Sequence, residues 1–185
     1  RKDNSLVGRW WWTVDKWSLV SLCVLIGVGL VMSFAASPPV AHRLKLDTFF
    51  FVKRHIIMIV PTLALIFSIS LLSPLQIRRL SVVGYIAGVA LIILTILHGV
   101  EIKGARRWIS LAGNSIQPSE FIKPFFAVVS AWMICEKAKN PSFPGLAISF
   151  ALLCLLVSIL MMQPDLGMTV VIVATWVTQL FLSGI

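Results

Sequence analysis

The chain has 185 residues, 58% apolar and only 12% charged, with a formal net charge of +9 and a mean hydropathy of +0.96. That balance excludes an ordinary water-soluble globule, where about a quarter of the residues carry charge, and describes an integral membrane protein. The 16 Lys and Arg residues are dispersed over short polar segments between apolar runs, so they read as membrane-flanking anchors and not as a nucleic-acid surface.

Residues 1–17 form a polar tail in which Trp10, Trp11, Trp12 and Trp17 crowd beside Arg9 and Lys16. Aromatic rings next to basic residues suit the headgroup level of a bilayer. A first span follows at 18–37, within a stretch free of Asp, Glu, Lys, Arg and His from Trp17 through Ala41. It is long for the apolar part of a signal peptide and further spans follow, which argues against cleavage. Five more apolar runs lie at 56–73, 80–97, 118–135, 145–162 and 168–185. A helix needs about 20 residues to cross roughly 30 Å of hydrocarbon. These runs are apolar on every side, whereas barrel strands would alternate. The expectation is an all-α, polytopic protein with about six spans: a tail over 1–17 and one membrane domain over 18–185. Because the chain starts without Met and stops directly after the sixth run, it reads as part of a longer protein.

Cys23, Cys135 and Cys154 fall inside spans as small apolar residues and imply no disulfide framework. His42, His55 and His98 are scattered near span ends and read as interfacial. No zinc spacing, phosphate loop or Ser/His/Asp order occurs, so no metal site is expected.

Counting positive charges does not orient the chain: the tail, second and fourth loops hold eight Lys and Arg, and the first loop and third loop with its helix mouth hold eight. The first helix usually dominates, which favours the N-terminus inside. Alternation puts the first, third and fifth loops on one face whichever sign is right. The segments 104–123 and 163–167 should therefore meet at the same end of the helices.

Those segments hold the polar residues that are expensive at a membrane. Lys103, Arg106 and Arg107 could serve an anionic ligand, since Arg recognises phosphate bidentately, or they could be flank charges. Trp108 beside them could be an interfacial anchor. The run at 118–135 is charge-free only from Pro124 to Cys135, roughly 18 Å of helix, so Glu120 and Lys123 should sit at or below the interface. At i, i+3 they can pair, as a structural staple or as a cavity wall. Pro124 should kink the helix or break its hydrogen bonding. Asp165 is either an N-cap of the sixth span or part of the same site.

The motifs Gly-Ala-Arg-Arg-Trp-Ile (104–109), Gln-Pro-Ser-Glu-Phe-Ile-Lys (117–123) and Gln-Pro-Asp-Leu-Gly (163–167), in that order between spans, resemble the SEDS family of shape, elongation, division and sporulation proteins. The tail with its Trp cluster, the segment 33–41 and Phe51-Val52-Lys53-Arg54 look more like the division branch than the elongation branch. The family has about ten spans, of which this chain would hold the first six. The resemblance implies a peptidoglycan glycosyltransferase of the inner membrane at the division septum. It would polymerise lipid II and release a lipid diphosphate beside a class B penicillin-binding protein and other membrane proteins of the division machinery. Candidate substrate-binding residues are Lys103, Arg106, Arg107, Trp108, Gln117, Ser119, Glu120, Lys123 and Asp165. The family's proposed catalytic Asp would lie beyond Ile185, so no residue here is assigned as the base. A divalent cation could accompany the pyrophosphate. The rival classes are a flippase for a lipid-linked precursor, which would also want charge beside kinked helices, and a non-catalytic scaffold that docks division partners through its spans.

Overall fold

The computed structural model describes residues 6–102, 105–111 and 114–184. They form helices α1 (Leu6–Thr13), α2 (Lys16–Arg43), α3 (Phe50–Ser70), α4 (Pro74–His98), α5 (Pro118–Lys139), α6 (Gly145–Met162) and α7 (Leu166–Ser183). Strands β1 (Val100–Ile102), β2 (Ala105–Leu111) and β3 (Asn114–Ile116) lie between α4 and α5. The expected helical architecture is present, and α2 to α7 are the six expected runs. Two elements were not expected: the short helix α1 and the three strands. Residues 1–72 and 73–185 are separate compact units.

In the first unit α2 starts at Lys16 because Asp15 caps it, its carboxylate accepting from the N–H groups of Trp17 and Ser18. The helix runs past its expected end at residue 37 through Pro38 and Pro39. Each Pro removes an N–H, so the carbonyls of Phe34 and Ala35 lose their usual helical donors. The Ser37 hydroxyl instead donates to the carbonyl of Thr48 at 2.8 Å, holding the α2–α3 connection. α3 starts six residues before the expected 56, beside an exposed Lys53–Asp47 ion pair of 2.7 Å. α2 and α3 meet at Ser33 and the His55 ring, 2.6 Å apart.

In the second unit α4 begins with a capping box, Ser73 and Gln76 satisfying each other's backbone, with Pro74 at the first helical position. This geometry adds a turn and a half ahead of the expected residue 80. The core joins Tyr85 and Ile92 of α4, Ile122 and Phe126 of α5, Leu156 of α6 and Ile172 of α7.

Among the described residues five helices are long and apolar enough to span a membrane alone, and of α2 to α7 only α5 falls short. Glu120 and Lys123 at one end, and Glu136, Lys137 and Lys139 at the other, shorten its apolar stretch. α5 is the fourth expected run, the one whose charge-free stretch is limited to Pro124 to Cys135. α5 tolerates this because it packs against α4, α6 and α7, burying Ile122, Phe126, Ser130 and Ile134 in protein. It stays one helix through Pro124, which leaves the Glu120 carbonyl without its i+4 donor.

Close approach of α4 to α5 requires two glycines. A Cβ at Gly84 would lie 2.6 Å from the Phe125 ring, and one at Gly88 would lie 2.9 Å from Ile122 Cγ1. Small residues four apart let helix backbones meet in a membrane. This contact sets where the charged start of α5 stands.

Candidate functional site

The third loop is a small antiparallel sheet, ordered β1-β2-β3. The β1–β2 register shifts by one residue, Glu101 opposing Arg106 and Val100 opposing Trp108, so Arg107 is the extra residue of a bulge. Arg106 stands opposite Glu101 in the register and pairs with it at 3.4 Å, both about half exposed. Trp108 stands opposite Val100 and is partly buried. Lys103 and Gly104 lie outside the described residues.

Arg107 and Ile109 face the helices. The Arg107 guanidinium donates from Nε to the carbonyl of Gln163 at 3.0 Å and from a terminal nitrogen to the carbonyl of Pro164. Its other terminal nitrogen is 3.6 Å from the Asp165 carboxylate. The last carbonyls of α6 have no intrahelical donors, and a cation there also suits the negative end of the helix dipole.

Asp165 is 5% exposed and its two oxygens are separately engaged. Oδ1 faces Arg107 and accepts the N–H of Met168 at 3.4 Å, which makes it the N-cap of α7, while Oδ2 accepts from the Gln117 amide at 3.2 Å. The same Gln117 amide reaches the hydroxyl of buried Ser119 at 3.0 Å. Arg107, Gln117, Ser119 and Asp165 thus form one polar clamp that joins the sheet, the start of α5 and the α6–α7 turn. The expected meeting of 104–123 with 163–167 is found, and the cap and cluster readings of Asp165 hold together.

Gln163 completes the clamp, although the sequence reading quoted it only as part of a motif. It is 2% exposed and donates to the carbonyl of Arg106 at 2.9 Å. Its Oε1 is buried without a hydrogen-bond partner, an orphan of the kind that native interiors rarely leave. The Gly84 and Gly88 pair was also passed over, although its four-residue spacing was visible.

Glu120 and Lys123 pair at 2.6 Å, but their side chains are 53% and 30% exposed. Protein therefore leaves this pair partly uncovered. Beside it opens an apolar groove of about 370 Å³, lined by Gly84, Gly88, Ile109, Ile116, Phe121 and Phe125 among others. Pro118, Phe121 and Phe125 bring the start of α5 to its wall. Among the described residues no three His, Cys, Asp or Glu side chains gather to hold a metal.

Comparison with known proteins gives consistent relatives. The model of the FtsW, RodA and SpoVE family, described as cell cycle proteins, matches residues 16–185. The probable peptidoglycan glycosyltransferase FtsW of Caulobacter vibrioides is 37% identical over 186 aligned positions, which cover 100% of this chain and 48% of the relative. The protein of the same name from Acinetobacter baylyi is 32% identical over 90% of this chain and 43% of its own length. Among solved structures, the rod shape determining protein RodA of Thermus thermophilus superposes with a TM-score of 0.72 at 26% identity, over 94% of this chain and 55% of that one. A chain of a peptidoglycan synthase complex, solved for its coordination of polymerization and crosslinking, gives 0.74 at 27% identity, over 94% and 49%. The chain spans about half the length of the curated relatives it matches.

Proposed function

We propose, from the premise that the chain belongs to the FtsW, RodA and SpoVE family of cell cycle proteins, that it forms part of a multi-pass inner-membrane peptidoglycan glycosyltransferase. The full-length protein would polymerise lipid II during septal wall synthesis, beside a class B penicillin-binding protein. The observation that carries this reading is the convergence of three polar motifs at one end of a membrane helix cluster, next to an apolar groove. A lipid-linked sugar diphosphate is amphiphilic in the same way: its prenyl tail would lie in the groove and its charged head by the Glu120–Lys123 pair.

The chemistry needs positive charge for the departing pyrophosphate and a base for the attacking hydroxyl. Arg106, Lys123 and Lys103 are our candidates for the charge, with Trp108 nearby on the same strand. Arg107, Gln117, Ser119 and Asp165 hold the frame on which those residues stand. Asp165, with both oxygens engaged, is poorly placed to take a proton, so the base is proposed to come from outside residues 1–185, and these residues alone are expected to be inactive. Any divalent cation would enter with the substrate phosphates.

The test is reaction of labelled lipid II with the full-length protein and its penicillin-binding partner, in vesicles. Glycan chains support the reading. Movement of lipid II across the vesicle membrane without chain formation would make the protein a flippase and refute it.

A further inference from the structure

We infer that α1 is a membrane-surface helix that recognises anionic lipid headgroups. The inference rests on the first unit alone and is independent of the reaction proposed above.

Its first support is the position of α1 relative to the spans. Val14 and Asp15 break the chain between α1 and α2. Were α1 to continue along the α2 axis, Trp10 would stand about 9 Å beyond Lys16, at 1.5 Å per residue. Instead the Trp10 indole N–H donates to the Ser70 hydroxyl at 2.7 Å, and its ring lies edge-on to Phe67 with centroids 5.0 Å apart. Ser70 ends α3. The antiparallel contact of Ser33 with His55 makes Ser70 level with the first turn of α2. Trp10 therefore latches α1 back to the depth at which α2 starts and α3 ends, where the bilayer meets water.

The second support is what α1 and its junction then present. Trp12 and Trp17 are 81% and 82% exposed, and Trp11 is half exposed. Such large aromatic surfaces, left bare by the protein at this depth, suit headgroup-level insertion. Lys16 Nζ stands 5.5 Å from the Trp12 ring centroid and 5.9 Å from that of Trp11. Among the described residues it has no carboxylate within ion-pair distance, since Asp15 is turned to the α2 backbone and Ser18. The aromatic cage thus holds a cation where a lipid phosphate would meet it. Residues 1–17 carry Arg1, Lys2, Arg9 and Lys16 against Asp3 and Asp15, so the segment is positive as a whole. Positive charge beside exposed Trp favours an anionic lipid surface over a protein partner.

The test places a photoreactive amino acid at position 12 or 17 of the full-length protein in nanodiscs of phosphatidylcholine and phosphatidylglycerol at three to one. Lipid adducts are expected at both positions, with the ratio of phosphatidylglycerol to phosphatidylcholine adducts about fivefold that of the bilayer, the equivalent of roughly 1 kcal/mol for one basic residue at an anionic surface. Lys16→Gln should abolish the enrichment while lipid adducts persist. Trp10→Ala should release the latch and lower the adduct yield at position 12. Absence of lipid adducts at position 12, labelling of the two lipids in proportion to their abundance, or adducts to another protein in native membranes in place of lipid, would each overturn the inference.

Discussion

Replacing Arg107 and Asp165 singly and together measures whether the clamp frames the site. At 3.6 Å and an effective dielectric of about 20, two unit charges attract by about 4–5 kcal/mol. Arg107 keeps 32% of its side chain exposed while Asp165 keeps 7%, so screening on one side and desolvation on the other bring the expected coupling down to about 1–2 kcal/mol. Arg107→Gln also withdraws the two donors to the Gln163 and Pro164 carbonyls, and the total loss should be about 2–4 kcal/mol. Asp165→Asn keeps an oxygen for the Met168 N–H and should cost less, about 1–2 kcal/mol. The assay is equilibrium unfolding of the full-length protein in mixed micelles, with each variant's folded fraction followed by more than one probe. The double variant should be more stable than the sum of the singles predicts by the coupling energy. Losses that add within about 0.5 kcal/mol are what residues without a shared contact give, and that result would refute the clamp.

Gly88→Ala puts a methyl against buried Ile122 and should destabilise the second unit by about 1–3 kcal/mol; an unchanged unfolding midpoint would show that α4 and α5 do not meet there. Glu120→Gln and Lys123→Met, breaking an exposed pair, should each cost only about 0.3–1 kcal/mol of stability yet lower strand synthesis about tenfold or more. A stability loss above about 3 kcal/mol would return the pair to a buried structural role. For Asp15, the hydrogen bond from the Ser18 hydroxyl, then those from the Trp17 and Ser18 N–H groups, hold its carboxyl below the usual carboxylate range. A depressed native pKa means the cap stabilises α2 above the unfolded-state value and is lost as pH falls through the native one. Amide protection at Trp17 and Ser18 should accordingly hold from pH 7 to 5 and fall below about pH 4, with Asp15→Asn removing that dependence. Protection that is flat through pH 3 in the unaltered protein would count against it.

Apolar run length placed the six long helices, because hydrocarbon thickness demands a nearly fixed length of apolar helix. α6 starts and ends where its apolar run does. Helix ends outside the hydrocarbon follow local chemistry, which is why α4 reaches back to the Ser73–Gln76 box and α3 begins before Ile56. Alternation of spans also foretold that the segments 104–123 and 163–167 would share one end of the helices. What it could not show is that Arg106 and Arg107 part company: their short segment reads as a loop, and their separate partners, Glu101 for one and the 163–165 turn for the other, appear only with the strand pairing. Exposure of Glu120 was equally hidden. Sequence length shows that a charge lies near the interface, but only the positions of α4 and α6 show which side of α5 protein covers. α1 escaped notice because eight residues rich in Trp look like a belt until Trp10 is seen docked on Ser70.

The central claim is that Arg106 and Lys123 bind the substrate pyrophosphate on a frame held by Arg107 and Asp165. It is tested most directly by measuring lipid II affinity and strand synthesis for Arg106→Ala and Lys123→Ala in the full-length protein, at matched amounts of folded protein. The account predicts that both variants lose affinity and synthesis about tenfold or more with unfolding midpoints close to that of the parent. Retention of full affinity and synthesis by both would show that they are only flank charges and contradict the account.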